Sequence, residues 1–488
     1  MPNPTQLAAD PRLSAARAAA AADRAGAHAR LVELLRIERV STVPEHASDV
    51  RAAAEWVAAR MRAAGLTGVR VDETARHPVV YGERIVDAAK PTVLIYGHYD
   101  VQPVDPIDLW QTPPFEPTVR DGALYARGSS DDKGQVMVNL EAIAAWDRAG
   151  GLPVNVKLVI EGEEEIGSPN LEAWVRAHAA ELKADVALVS DTAILAPGTP
   201  SIVYALRGLA YVEIEVEGPN RDLHSGQFGG AVANPANALA YIVSQLLDVQ
   251  TGRILIPGFY DRVRALEPAE RAELARAPFD VGAFGGATGD AGGWGEDGYS
   301  VVERLGARPT LDVNGLVSGW TGAGAKTVLP AKALAKVSMR LVPDQDPDEI
   351  VRLITAHVKA VAPPRVRVTV RNLHGARPAI ADRTIPAMRA AAAAYEIGFG
   401  QAPYYTREGG SIPVVALLAD VLGLDTVLMG FGLPDDNLHA PNERFVLEQY
   451  DRGIDTAIAF HAALAAGAAG AAGAMGDGDS DGAMGGGR

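Results

Sequence analysis

The tripeptide His98-Tyr99-Asp100 at the end of an apolar run is the feature that most constrains this chain. Residues 92–96 are β-branched or apolar, which predicts a buried strand, and Gly97 is expected to end it. Because side chains alternate along a strand, His98 and Asp100 can point the same way into a cleft beyond the strand. Neutral imidazole is the commonest metal ligand, and a nearby carboxylate can fix its tautomer. Alone, the pattern also fits an ordinary hydrogen-bonded pair in a loop.

Length, composition and charge restrict the class of protein. The chain has 488 residues, which favours two domains. Its 48% hydrophobic and 22% charged residues are typical of a globular protein. The formal net charge of -16 disfavours binding to nucleic acid or an anionic membrane and favours binding of cations. The sequence has no cysteine, so histidine and carboxylate side chains must hold any metal.

The sequence gives no sign of a targeting or membrane segment. No stretch approaches the roughly 18 apolar residues of a membrane span. Residues 1–30 are rich in alanine and lack the basic start and apolar core of a secretory signal. Asp10 and Asp23 also argue against an organellar transit peptide. We therefore expect a cytoplasmic protein.

Two helices are expected at the start of the chain, over residues 12–40 and from Ser48, a plausible cap, onward. Strands and helices then alternate, with strands expected at 92–96, 154–160 and 186–189 and helices at 134–148 and 170–182. That rhythm predicts an α/β fold with a mostly parallel central sheet flanked by helices. Such sheets carry their ligands at the carboxyl ends of the strands.

The pattern changes near residue 208 to that of a separate, inserted α+β domain. Half-exposed strands are expected at 210–217, 334–341 and 366–370, with a helix at 235–248 and a Gly-rich loop at 282–298. The α/β pattern resumes with a helix at 385–397, a strand at 426–429 and a helix at 443–465. We therefore assign 1–206 and 384–466 to one domain and 207–383 to the insert. Residues 467–488 form a Gly/Ala-rich tail that is expected to be disordered.

Five further segments carry side chains suited to metal binding. They are residues 127–134, 161–167, 190–191, 222–230 and 437–443. Each has an ordinary alternative, since an aspartate is a routine helix cap and adjacent glutamates also suit a solvated loop. Several of these segments follow expected strands of one sheet, however, and such crowding of carboxylates is best explained by a counter-cation.

At this point the chain resembles the M20 metallopeptidases, and within them the carnosine-dipeptidase-like branch. The likeness covers residues from about 25 to 465. The motifs that carry it are YGHYDVQP (96–103), ARGSSDDKG (126–134), EGEEEIGS (161–168), SDT (190–192), DLHSGQFGG (222–230), GAKTVLPAK (324–332), MRLVP (339–343), REGGSIP (407–413) and NLHAPNE (437–443). The resemblance implies that the first domain is catalytic and that the insert is a lid and dimerisation domain.

The resemblance also implies two divalent metal ions per subunit. His98, Asp131 and Asp191 match the ligands of one ion, and Asp131, Glu165 and His439 match those of the other. Zinc is the first expectation, with manganese or cobalt as alternatives, because such sites accept all three.

Three further residues match catalytic positions of the family. Asp100 matches the carboxylate that orients the first histidine, and Glu164 matches the general base that acts on a hydroxide bridging the two ions. His224 matches a residue that stabilises the oxyanion in the active site of the partner subunit, which implies a functional homodimer. The peptide bond after Asp131 is expected to be cis.

The substrate-binding positions follow by the same resemblance. The substrate's free carboxylate would meet Arg340, with further contacts from Thr327, His374 and Ser411. A planar guanidinium suits a carboxylate, although a salt bridge on a strand surface is the alternative for Arg340.

The first choice of function is a dinuclear dipeptidase acting on dipeptides or short unblocked peptides. Asp191 favours it, since relatives with glutamate at that position tend to be carboxypeptidases and deacylases. The alternative is an N-acyl-amino-acid deacylase of the acetylornithine or succinyl-diaminopimelate type. From another class, a non-catalytic metal-dependent binding protein is the remaining alternative.

Overall fold

The computed structural model describes residues 3–290 and 293–476. Contacts between Cα atoms divide the chain into two compact units. The first contains the chain up to Tyr204, Ala381–Tyr405 and the chain from Leu417 onward, and the second contains Ala205–Ile380 and Thr406–Ala416. The catalytic and lid roles expected of two such parts stay predictions.

The helices and strands are numbered in chain order. The α-helices are α1 (Pro4–Ala8), α2 (Pro11–Ala22), α3 (Arg24–Leu35), α4 (Ala47–Ala63), α5 (Lys133–Arg148), α6 (Leu171–Ala177), α7 (Ser225–Phe228), α8 (Pro235–Ser244), α9 (Pro268–Arg276), α10 (Val281–Thr288), α11 (Val301–Gly306), α12 (Pro347–Val361), α13 (Pro386–Phe399), α14 (Pro413–Leu422) and α15 (Leu447–Gly476). The strands are β1 (Thr67–Asp72), β2 (Val79–Arg84), β3 (Thr92–His98), β4 (Thr118–Arg120), β5 (Ala123–Tyr125), β6 (Asn155–Glu161), β7 (Val186–Val189), β8 (Ser201–Leu206), β9 (Gly208–Glu217), β10 (Leu223–His224), β11 (Leu247–Asp248), β12 (Arg253–Ile254), β13 (Thr310–Ser318), β14 (Val328–Leu329), β15 (Lys332–Leu341), β16 (Arg367–Ala376), β17 (Ala379–Ile380), β18 (Tyr404–Glu408), β19 (Thr426–Leu428) and β20 (Arg444–Val446).

The first unit is built on a mixed sheet with strands in the order β1-β2-β6-β3-β7-β19-β8. Its centre, β6-β3-β7-β19, is parallel. The outer pairs β1-β2, β2-β6 and β19-β8 are antiparallel. The predicted α/β class is therefore confirmed, with the parallel strands confined to the middle of the sheet.

The central strands are buried because helices cover the sheet. Every residue of β6 and β7 is buried, and β3 is buried from its second residue onward. A continuous apolar run is typical of parallel strands covered on both faces. Since β3, β6 and β7 run the same way, their carboxyl ends meet at one edge, where ligand sites of such sheets form.

The second unit contains a four-stranded antiparallel sheet in the order β13-β15-β9-β16. Alternate residues of β9 are buried, and they pack with α8 and α12 in a core that includes Ile214, Val337, Leu239 and Ile354. The other face carries ion pairs, such as Lys332 Nζ 2.8 Å from Glu215 Oε1. Alternating apolar and charged residues produce this two-faced sheet.

Gly97 does not end β3, so that expectation is wrong. The strand continues to His98, and Gly97 meets a different requirement. A Cβ added there would lie 2.6 Å from Val136 Cγ2 and 2.8 Å from Asp132 Oδ2. The glycine lets the start of α5 and the loop before it approach the strand closely.

Other element boundaries also differ from the predictions. Ser48 lies inside α4, whose N-cap is His46. The expected helix at 235–248 ends at Ser244, and its last two residues form β11 instead. The first part of the expected loop at 282–298 is helical, because α10 extends to Thr288, and residues 291 and 292 lie outside the described residues. The last helix begins at Leu447, after β20, and continues past Gly467 to Gly476. The expected disorder is therefore not found up to Gly476. The rest of the expected tail, residues 477–488, lies outside the described residues.

Within residues 3–290 and 293–476, none of the helices combines the length and the apolar character that crossing a lipid bilayer requires.

His461 on α15 is a buried ionisable group without a compensating contact. Its side chain is fully buried, and within the described part of the chain neither ring nitrogen has a hydrogen-bond partner. Burial lowers the pKa of His461 from 6.5 to about 4. Between these pH values the unfolded chain binds a proton that the folded chain does not bind, so the free energy of unfolding decreases as the pH falls.

We expect His461→Leu to remove this pH dependence. A pKa difference of that size corresponds to about 3 kcal/mol. As the pH is lowered from roughly 7 to 4, the stability of the variant relative to the native protein should therefore increase by about that amount. Denaturation with guanidinium chloride across this pH range measures the difference. An equal difference in unfolding free energy at every pH would contradict the assignment.

Candidate metal centre

His98 ends β3 and is fully buried, with each ring nitrogen facing a different carboxylate. Its Nδ1 lies 3.4 Å from Asp100 Oδ1 and 3.2 Å from the Asp100 carbonyl oxygen. Its Nε2 lies 3.1 Å from Asp131 Oδ1. An imidazole oriented through one nitrogen can present the other to a metal, so this geometry suits a ligand.

Asp100 also holds the loop that follows β6. Its Oδ1 accepts a hydrogen bond from the backbone N–H of Glu164 at 3.2 Å, and its Oδ2 accepts one from the N–H of Glu165 at 3.1 Å. Both glutamates lie on a short 3-10 helix directly after β6. One buried carboxylate therefore fixes the relative positions of His98 and these two glutamates.

Asp131 is shared by two groups of possible metal ligands. Its Oδ1 faces His98, and its Oδ2 lies 3.0 Å from His439 Nε2. Asp191 Oδ2 lies 4.0 Å from His98 Nε2, and Glu165 Oε2 lies 3.4 Å from His439 Nε2. Within each group of three, the ligand atoms lie within 4.8 Å of one another. The structure therefore brings together all five side chains that the resemblance names as ligands.

The peptide bond between Asp131 and Asp132 is cis, as the resemblance implies. Asp132 Oδ2 accepts a hydrogen bond from the backbone N–H of His98 at 3.2 Å. The bond therefore lies in a segment attached directly to the end of β3.

The electrostatics of the site fit bound cations. Burial, and then the charge of Asp131, raise the pKa of Glu165 to about 10. Burial disfavours a charged His98, yet hydrogen bonds with Asp100 and Asp131 raise its pKa well above the usual value. Protons thus offset the crowded negative charge, as divalent cations would. Imidazole and carboxylate donors without thiolate suit zinc, manganese or cobalt.

Glu443 is a residue of this site to which the sequence assigned no role. Its buried carboxylate accepts hydrogen bonds at Oε2 from Gly128 N at 2.7 Å and Arg127 Nη1 at 2.8 Å. Its Oε1 accepts hydrogen bonds from Ser130 N at 3.0 Å and Asp131 N at 3.1 Å. Glu443 therefore holds the loop that carries Asp131. The signal available in the sequence was an acidic residue in the same small-residue motif as His439.

The loop around His439 adopts an unusual backbone. Asn437, His439 and Asn442 have φ values of 57°, 59° and 64°, in the left-handed region that residues other than glycine seldom adopt. Asn442 anchors the loop, since its Oδ1 accepts a hydrogen bond from Gln111 N at 2.8 Å and its Nδ2 donates one to Leu109 O at 2.8 Å. His439 has a side chain that is 56% exposed, and its Nε2 contacts Asp131 Oδ2 at 3.0 Å and Glu165 Oε2 at 3.4 Å.

The second unit contains the other expected site residues, beginning with His224 and Thr327. Strand β10 pairs with β14 so that His224 lies opposite Val328. The N–H of Ser225 donates a hydrogen bond to the carbonyl oxygen of Thr327 at 3.0 Å. The structure therefore places His224 and Thr327 side by side.

Arg340 and Ser411 form a second pair within this unit. Arg340 Nη1 donates a hydrogen bond to Ser411 Oγ at 3.1 Å. His374 lies on β16, and its ring packs edge-on against Tyr211 with centroids 5.1 Å apart.

Known proteins that are similar to this chain include peptidases, and some of them are named as metal-dependent. Residues 94–463 match the model of peptidase family M20/M25/M40. A Cys-Gly metallodipeptidase of Candida albicans is 34% identical over 86% of this chain and 92% of the relative. A human Beta-Ala-His dipeptidase is 32% identical over 80% of this chain and 78% of the relative. The crystal structure of an M20 family metallo-carboxypeptidase, Sso-CP2 from Sulfolobus solfataricus, matches with a TM-score of 0.80 and 35% identity, covering 90% of this chain and 99% of that one.

We expect Glu443→Gln to weaken metal binding without unfolding the protein. The amide keeps the volume but brings an N–H₂ group towards backbone N–H donors, so the loop of Asp131 loses its fixed position. Loss of such a supporting contact typically lowers metal affinity by about 10- to 100-fold. Competition with a chelator measures the affinity.

Glu303→Gln in the second unit is the matched control for that experiment. Glu303 is also a buried glutamate paired with an arginine, Arg271, at 2.6 Å. Its replacement should leave metal affinity unchanged. Native affinity in a correctly folded Glu443→Gln protein would show that Glu443 does not position the site.

Proposed function

Because the chain belongs to peptidase family M20/M25/M40 and is a metallopeptidase, we propose that it cleaves the peptide bond of dipeptides or short unblocked peptides at a dinuclear metal centre. The observation that carries the proposal is the position of Asp131, whose two oxygens face the two imidazoles of separate ligand groups. The dipeptidase names of the two curated relatives support the choice of substrate.

In this proposal each ligand group holds one divalent cation, zinc first, with manganese or cobalt as alternatives. His98, Asp131 and Asp191 would hold one ion, and Asp131, Glu165 and His439 the other. When bound, such ions polarise a carbonyl and lower the pKa of water. Asp100 keeps Nε2 of His98 directed at the ion by occupying the Nδ1 side of the ring.

Glu164 is the proposed general base, and its contacts differ from those of its neighbour. Gln102 Nε2 donates a hydrogen bond to Glu165 Oε2 at 2.7 Å. By contrast, no donor within residues 3–290 and 293–476 hydrogen-bonds to the Glu164 carboxylate, although its backbone N–H is held by Asp100. An oriented carboxylate with free oxygens can take a proton from the attacking water and pass it to the leaving amine.

The substrate's free carboxylate is proposed to bind Arg340. Ser411 already contacts that guanidinium, and Thr327 and His374 are further proposed contacts. A guanidinium can bind both carboxylate oxygens at once, which favours peptides with an unblocked carboxyl end.

We expect Glu164→Gln to keep its metal and lose most turnover. The amide cannot accept the proton, and loss of a general base typically costs about 10²- to 10⁴-fold in rate. Elemental analysis together with kcat on an unblocked dipeptide measures both properties. Glu165→Gln, in the neighbouring position, is the matched control. Because Glu165 is a proposed metal ligand, this variant should lose bound metal in addition to turnover. Near-native turnover by metal-replete Glu164→Gln would remove Glu164 from this role.

The native protein in the same assay separates the competing functions. Dipeptides should be hydrolysed faster than N-acetyl and N-succinyl amino acids. The opposite order would favour the deacylase alternative. A metal-replete protein that is inactive on every peptide and acyl amino acid would contradict a catalytic role in this class.

We also propose a homodimer in which His224 stabilises the oxyanion in the site of the partner subunit. Mixing His224→Ala subunits with Glu164→Gln subunits tests it. Each homodimer should be inactive, whereas a mixed dimer has one site with both residues intact and should regain activity. A mixture that forms dimers but stays inactive would contradict action across the interface.

A further inference from the structure

Arg207, just before β9, is a buried arginine adjacent to the proposed carboxylate-binding pair Arg340 and Ser411. Its backbone carbonyl accepts a hydrogen bond from Ser411 Oγ at 2.5 Å. Its Nε donates to Gly409 O at 3.2 Å, and its Nη1 donates to Arg308 O at 3.4 Å. Arg207 therefore holds the segment that places Ser411 beside Arg340. All of these residues belong to the second unit.

Among the described residues, the charge of Arg207 has no close counter-charge. Its side chain is only 9% exposed. Over the described ranges 3–290 and 293–476, no carboxylate lies within ion-pair distance of Arg207 or Arg340. Burial and then the charge of Arg340 lower the pKa of Arg207 to about 10, whereas the smaller effect of the Asp312 charge raises it. Two neighbouring guanidinium groups thus share a partly buried region.

An excess of buried positive charge is unfavourable unless an anion compensates for it. Neutral carbonyl oxygens, such as those of Gly409 and Arg308, hold the Arg207 guanidinium in place but do not neutralise it. Arg308 offers a contrast in the same unit, because its guanidinium lies 2.7 Å from the carboxylate of Glu296. The arrangement around Arg207 and Arg340 is therefore that of a site prepared for a carboxylate supplied by a ligand.

We propose that Arg207 is a positioning residue for substrate specificity, which strengthens the binding of a free carboxylate at Arg340. Its positive charge adds to the attraction between Arg340 and the carboxylate. Its contacts with Ser411 and Gly409 fix the position of Ser411, which binds Arg340. This inference rests on the proposed function, since it takes Arg340 as the group that meets the carboxyl end of the peptide.

The test compares Arg207→Gln with Arg207→Lys on a dipeptide and on the same dipeptide with an amidated carboxyl end. Glutamine keeps hydrogen-bonding capacity but loses the charge, whereas lysine keeps the charge. We expect Arg207→Gln to raise KM for the free dipeptide at least 10-fold, with kcat changed less than about 3-fold. Its kinetics on the amide should be close to those of the native enzyme, and Arg207→Lys should restore most of the preference for the free acid.

Arg308→Gln is the control for a general loss of stability, and it should leave the ratio of acid to amide hydrolysis unchanged. If Arg207→Gln does not fold, Gly409→Ala provides a second variant. A Cβ there would lie 2.6 Å from Arg207 Nη2 and 2.9 Å from the backbone oxygen of Leu305, so both the guanidinium and this backbone must shift, and the same rise in KM for the acid is expected.

Two results would overturn the inference. One is an equal loss of activity on acid and amide in Arg207→Gln, which indicates a structural role. The other is an unchanged KM for the acid in a folded variant. In either case the native enzyme still hydrolyses dipeptides and the proposed function stands. A native enzyme that hydrolyses neither compound would instead contradict the proposed function, and this inference with it.

Discussion

Mutual repulsion among buried carboxylates at the ends of β3, β6 and β7 is the constraint on which the rest of the first unit depends. Asp100, Asp131, Glu165 and Asp191 can share this small volume only if each meets a donor or a cation. The chain provides donors in three ways. The first two are backbone N–H groups, as at Asp100, and imidazoles, as on both sides of Asp131. The third is a buried salt bridge, since Glu443 pairs with Arg127 while binding the loop of Asp131. The remaining crowding appears as raised pKa values of buried acids, which is the electrostatic condition that divalent cations relieve.

Close backbone approach makes this concentration of charge possible. The loop between β5 and α5 must lie directly against β3, and glycines stand where contact is tightest. At Gly97 a side chain would strike Val136 and Asp132, and at Gly134 a Cβ would come within 2.0 Å of Ser129 O and 2.4 Å of Phe445. These glycines let the first turn of α5 and the residues around Asp131 approach His98 on one side and β20 on the other. The parallel strands therefore bring site residues to one edge of the sheet, and the glycines allow the surrounding segments to pack closely against them.

The part of the site that follows local rules could be predicted from the sequence. His98 ends a strand, Glu164 and Glu165 follow the next, and Asp191 follows a third, so the rule for parallel sheets brings them to one edge. Contacts between distant segments could not be predicted in this way. Glu443 binds Gly128 across 315 residues of chain, and its partners are backbone groups that leave no mark on the sequence. The left-handed backbone at His439 could likewise not be predicted, because residues other than glycine seldom adopt it and the contacts of the same loop through Asn442 join segments far apart in the sequence. The prediction for Gly97 is wrong because a glycine can mark either a strand end or a close approach, and only the packing of α5 distinguishes the two.

The acidic cluster of the first unit and the pair Arg207 and Arg340 of the second unit have opposite charge, and the proposals assign a different part of the chemistry to each. The acidic cluster of the first unit attracts cations and would repel a peptide carboxylate. In the proposals, Arg207 and Arg340 in the second unit would attract that same carboxylate. The net charge of -16 therefore does not predict where positive charge is concentrated, because Arg207 and Arg340 form a positive group within a chain that is negative as a whole. The relatives named above include both dipeptidases and a carboxypeptidase. If the proposals hold, Asp191 contributes to the choice of substrate through the metal centre, as the resemblance implies, and Arg207 contributes through the carboxyl end of the peptide.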